Sequence, residues 1–165
     1  MSMSQAFLHE FDHEAKTTRR VLERVPNDRL AWKPHQKSMS LGQLALHVAT
    51  LPGAIAEISL QSPFQAPKFV QPSASSASEL LPALDESLAK AKRALGNQDD
   101  ASLTSMWRLM DGDRELFAVP RGALLRTLML NHWYHHRGQL SVYLRELDVP
   151  VPSIYGPSAD ENPFG

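Results

Sequence analysis

The chain has 165 residues, 42% of them apolar, with 17 Lys plus Arg against 18 Asp plus Glu, a formal net charge of -1 and no cysteine. That length suits a single domain, residues 1–165, able to bury most of its apolar surface. The lack of cysteine excludes disulfides, thiolate zinc sites and cysteine nucleophiles, so any metal must sit on nitrogen or oxygen. The balanced charge excludes a broad attraction to nucleic acid or anionic lipid. No basic-then-apolar leader opens the sequence, and no run approaches the roughly 18 apolar residues that cross a bilayer. A cytoplasmic protein with neither nucleic-acid nor membrane partners is the expectation.

Leu8, Phe11, Ala15, Thr18, Leu22 and Val25 recur at spacings of three and four and predict a first helix over residues 4–25. Pro26-Asn27-Asp28 breaks it. A second helix starts near Leu41, where Ser40 and Gln43 form a capping-box pattern. Pro52 falls inside that helix and should kink it or mark a local defect, since it removes one backbone donor. Residues 62–78, rich in proline and serine, read as a long crossover. A third helix is predicted from about Glu79 to Leu95, with Ser78 as N-cap, Pro82 in its first turn and Gly96 beyond its end. Asp111-Gly112-Asp113 between two apolar runs predicts a small β-hairpin, an irregular crossover being the alternative. The fourth helix covers about Arg121 to Leu147, and residues 150–165 form an irregular, proline-rich tail. Four long helices with one long crossover make an all-α four-helix bundle.

Position sorts the seven histidines. His132 and His136 lie one turn apart, and at about 100° per residue they fall in the apolar stripe of Leu125, Met129 and Tyr143. Two inward imidazoles at this spacing can share one ion. Without one, each needs its own hydrogen-bond partner; both readings stay open at this level. His47 sits on helix two at the edge of its inward stripe. Alone it reads as a rim residue, but opposite an inward pair it becomes a candidate third ligand. Three protein ligands leave a position for water or substrate, the layout of a catalytic centre. His9 and His13 fall on the outer face of helix one, His135 at a rim or subunit contact, and His35 in a loop. There is no phosphate loop or dinucleotide fingerprint, and His132 is followed by Trp133, not by the Glu of a zinc protease helix.

The segment Asn131-His-Trp-Tyr-His-His-Arg-Gly-Gln139 resembles the signature of the DinB/YfiT-like superfamily of metalloenzyme bundles. Ser38-Met-Ser-Leu-Gly-Gln-Leu-Ala-Leu-His47 is similar to that family's second-helix motif, and Pro152 to Glu161 resembles the ending of one subgroup. The resemblance spans essentially the whole chain. It implies a four-helix bundle, often a homodimer, with zinc or nickel held by His47, His132 and His136. It also implies thiol-dependent S-transferase chemistry, with bacillithiol, mycothiol or a glutathione-like cofactor, or hydrolase chemistry, on a small-molecule substrate.

The first expectation is therefore a metal-dependent enzyme using an ion and a low-molecular-weight thiol. The alternative is a non-catalytic, metal-stabilised, stress-related binding or scaffold protein. Gln139, one turn from His136, is expected either to hydrogen-bond a ligand or to pack. Arg137 lies off the inward stripe, so a surface ion pair is its expected role, with a substrate carboxylate or partner subunit as the alternative. Tyr143 is expected to pack in the core, pocket lining being the alternative.

Overall fold

The computed structural model describes residues 2–68 and 70–164. Helix α1 (Met3–Leu22) begins at a capping box of Ser2 and Gln5 and finishes in a tightened turn reaching Val25. Helix α2 (Leu41–Ser59) begins at the Ser40 and Gln43 capping box expected from the sequence. Helix α3 is Leu80–Gly96. A 3-10 turn, Ala77–Glu79, precedes it, and its cap is Ser76 rather than Ser78. A short helix α4 (Asp100–Thr104), capped by Asp99, was not foreseen. The last helix, α5, is continuous over residues 121–146 in three parts: α-helical Arg121–Leu124, a π-helical stretch Leu125–Asn131, and α-helical His132–Glu146. It closes in a Schellman arrangement, with Asp148 at φ 56° and Val149 N–H donating to Leu144 O at 2.9 Å.

Between α4 and α5 lies the expected hairpin, β2 (Met106–Asp111) and β3 (Arg114–Pro120). Gly112 supplies the positive φ, +60°, at the first central position of its two-residue turn. A two-residue strand from the crossover, β1 (Phe64–Gln65), pairs in parallel with β2 through Phe64 and Leu109. The all-α reading thus gains a small three-stranded sheet. Trp107 fastens it to the bundle by donating its indole N–H to Ile58 O at 3.1 Å.

Helices α1, α2, α3 and α5 enclose one apolar core that includes Phe11, Leu44, Val48, Leu84, Met129 and Trp133. Among the described residues α2 is one helix apolar and long enough to cross a membrane by composition, which the sequence reading did not expect. Its apolarity serves the bundle, where it packs against both α3 and α5. Close packing on α3 depends on Gly53, whose added Cβ would fall 2.7 Å from Ser87 O.

The tail folds back along α1 and α5. Arg20 pairs with Glu161, Arg145 with Asp160, and Val151 N–H donates to Asp160 at 2.8 Å. It lies away from the histidine-lined cavity described below.

Candidate metal centre

Helix α2 carries His47 and α5 carries His132 and His136, and their ring nitrogens gather within 4.8 Å of one another. His47 faces the other two rings at centroid distances of 5.4 and 4.5 Å. The two helices are pinned at this level by a consequence of Pro52. Proline has no N–H, so the Val48 carbonyl one turn earlier loses its intrahelical donor. The indole N–H of Trp133 donates to that carbonyl at 2.8 Å. Val48 adjoins His47 and Trp133 adjoins His132, so this bond ties the two helices together beside the centre. Trp133→Phe is expected to lower stability by about 1–3 kcal/mol, the cost of a buried carbonyl left unmet. Urea unfolding measures this, and an unchanged midpoint would refute the pinning role.

The π-helical stretch sets the rotation of α5. The N–H of His132 bonds to Thr127 O and Met129 O, passing over Leu128 O. Such a wide turn holds one residue more than an α-turn and retards everything after it by about 100°. Trp133 and Arg137 therefore turn to the core centre, each 1% exposed, while His132 and His136 flank them half-buried. This corrects two expectations. The histidines sit beside the apolar stripe facing α2, and Arg137 is not at the surface.

The hydrogen bonds on the rings favour a cation. His136 Nδ1–H donates to Gln139 Oε1 at 2.7 Å, which leaves its Nε2 a bare lone pair. That Nε2 lies 2.7 Å from Nε2 of His132. Were His132 protonated on Nε2, its buried Nδ1 would be an acceptor with no donor, and Nδ1 has no partner in good geometry. Were it protonated on Nδ1, facing the nearby Leu128 carbonyl that favours the charged ring, two lone pairs would meet. A divalent ion held by His47, His132 and His136 would remove either conflict by taking up the ring lone pairs, and the residues fit one. Such outer contacts on Nδ1 are how proteins orient imidazole ligands. Burial, then the rings of His136 and His132, pushes His47 down to about 4. Burial also lowers His132 and His136. The apo rings are thus held neutral, the form that ligates.

A cavity of about 260 Å³ opens beside His47 and His132, between α2 and the crossover. Of the remaining histidines only His135 comes near, its ring 5.0 Å from that of His136 by centroids, and it is not one of the three gathered nitrogens. His9, His13, His35 and His135 are exposed. Tyr143 packs edge-on against Trp32 and donates to Met39 O at 3.2 Å, a packing role.

The sequence model of the DinB family matches residues 1–162. The chain belongs to the DinB family. It is 29% identical over 156 residues to an uncharacterized protein, YrdA, of Bacillus subtilis strain 168, covering 94% of this chain and 89% of that protein. A crystal structure of a DinB-like protein from Bacillus cereus ATCC 10987 matches with TM-score 0.71 at 25% identity, covering 92% of this chain and 97% of that one. Another DinB-like protein, YjoA of Bacillus subtilis, matches with TM-score 0.65 at 22% identity over 87% and 92% of the two chains, which shows shared fold alone. In this DinB-family bundle, the side chains that sequence reasoning undervalued are Gln139 and Arg137. Only the position of Gln139 one turn from a ligand signalled its role.

Proposed function

We propose that this DinB-family chain is a cytoplasmic, homodimeric, metal-dependent enzyme. His47, His132 and His136 hold one divalent ion, zinc or nickel. The enzyme joins a low-molecular-weight thiol, or water, to a small electrophilic substrate, as a thiol-dependent S-transferase or a hydrolase. The convergence of three neutral imidazoles beside an open cavity carries the reading.

When bound, a divalent ion lowers the pKa of a thiol or water so that its anion is present at neutral pH. The protein's own part is to keep the ligands ready. Burial holds His47 unprotonated. Gln139 Oε1 accepts a hydrogen bond from His136 Nδ1–H and so turns Nε2 toward its neighbour. No carboxylate lines the cavity among the described residues, so the histidines serve as ligands and the proton released by the thiol or water passes to solvent. In transfer, a sulfur–carbon bond forms while the carbon–leaving-group bond breaks with its electron pair.

The test is turnover of a panel of thiols with uncharged electrophiles, using untagged protein reconstituted with zinc or nickel and the same protein stripped by chelator. Turnover that needs both ion and thiol, or ion and water, is expected. Equal turnover without the ion sinks the reading. A blank screen on ion-loaded protein whose melting temperature rises with the ion favours a metal-stabilised scaffold instead.

A further inference from the structure

We propose that the cavity beside the histidines binds an uncharged, apolar body about the size of one substituted ring. Calling that body the substrate rests on the function proposed above; the binding itself does not. The cavity's floor is one face of α2 continuing from His47: Leu51, Ala54, Ile55 and Ile58 follow it at spacings of three and four. Its opposite wall is the crossover, through Val70 and Pro72. His132 closes the inner end, so a body seated there is held against the ligand nitrogens.

The remaining lining groups are Thr50 and Gln71, and each has one donor already engaged. Thr50 Oγ1 donates to Leu46 O at 2.9 Å, and Gln71 Nε2 donates to Gln43 O at 3.4 Å. Among the described residues, no Lys, Arg, Asp or Glu lines the cavity. The side chains lining the cavity would offer a charged ligand no counter-charge, and whatever part of it left water there would be poorly repaid in apolar surroundings. An uncharged apolar one gains from burial alone.

Size narrows the class further. A dry cavity of about 150 Å³ accepts benzene. The 260 Å³ here therefore accommodates a ring with a short branch. That is roughly ten non-hydrogen atoms on the same scale. The wall is anchored: Gln43 Nε2 donates to Gln71 O at 3.2 Å, and Ala74 N–H donates to Gly42 O at 3.3 Å. Gly42 permits that contact, since a Cβ there would lie 2.8 Å from Ser73 Oγ.

The experiment titrates zinc-reconstituted and chelator-stripped protein with three probes by ligand-observed NMR: tert-butylbenzene, its cationic isostere phenyltrimethylammonium, and 4-methylbenzenesulfonate, the charged probes being compared on the stripped protein, where no bound ion attracts or repels them. Tert-butylbenzene is expected to bind at least tenfold more tightly than either ion. Ala54→Trp, at an exposed helical position that tolerates a large side chain, should weaken it at least tenfold while ion content stays at the wild-type value. Equal binding of a charged probe, indifference to Ala54→Trp, or no binding of tert-butylbenzene at its solubility limit overturns the proposal. Protein that carries no ion yet binds tert-butylbenzene with this selectivity supports the cavity and removes the enzyme reading. Ion-loaded protein that ignores the probe does the reverse.

Discussion

His132→Ala is expected to empty the centre. Untagged wild-type protein and His9→Ala should each carry about one ion per chain by elemental mass spectrometry, and His132→Ala none. The reason is geometric. His132 and His136 present their Nε2 atoms 2.7 Å apart and His47 completes the set from α2, so losing His132 leaves one ligand on each helix. His9 tests specificity, because it belongs to the other i, i+4 histidine pair, on the exposed face of α1. Thiol-dependent turnover should fall to the uncatalysed background in His132→Ala and stay at wild type in His9→Ala. Gln139→Ala should behave between these limits. It frees the Nδ1 side of His136 without removing a ligand, and changes of that kind weaken ion affinity about 10–100-fold. An ion retained at full occupancy by His132→Ala, or wild type that stays empty after exposure to zinc and nickel, would show that the three histidines are a polar core cluster.

The second large effect lies beside the centre. Arg137→Met is expected to destabilise the protein by about 3–5 kcal/mol, because it strands a buried carboxylate. Arg137 is 1% and Glu14 8% exposed at the side chain, and they pair at 2.6 Å. The guanidinium also donates to Glu14 O and to Thr18 Oγ1, both at 3.1 Å, and to the Tyr155 hydroxyl. Tyr155 itself donates to Glu14 at 2.9 Å, so the tail is tied to α1 and α5 through one satisfied network. A loss of that size is a large share of the about 5–15 kcal/mol that holds a typical domain together. Urea unfolding of Arg137→Met, Glu14→Gln and the double variant measures it. The double variant should recover part of the loss, since it removes the stranded charge along with its partner. A single-variant loss below about 1 kcal/mol, the range of an exposed pair, would show that the network contributes no more than a surface salt bridge. The same comparison reports on the tail: protease sensitivity after Leu147 should rise in Arg137→Met.

Much of this protein is written in short-range chemistry. The Ser40 and Gln43 capping box, the Asp111-Gly112 turn and the apolar periods of the long helices each depend on residues within a few positions of one another. So does the pairing of His132 with His136, which needs only the i, i+4 rule. These features make the bundle and the candidate ligands legible in the sequence alone.

What resisted reading depends on partners far along the chain. Periodicity runs at a fixed angle per residue, so it could not see the wide turn at Leu125–Asn131 that swings Arg137 inward and the histidines to its flank. Nor could Pro52 announce that its orphaned Val48 carbonyl would be met by Trp133, 85 residues away. Glu14 and Tyr155 reveal themselves as partners of Arg137 only once α1 and the tail are packed together. The cavity, likewise, exists only where the crossover lies over α2. The sequence by itself determined which residues can ligate and where the four long helices run, because local sterics and hydrogen bonding decide those. The tertiary structure alone decided which way the ligands point and what lies beside them, because helix phase and buried polar pairing are settled by contacts between segments.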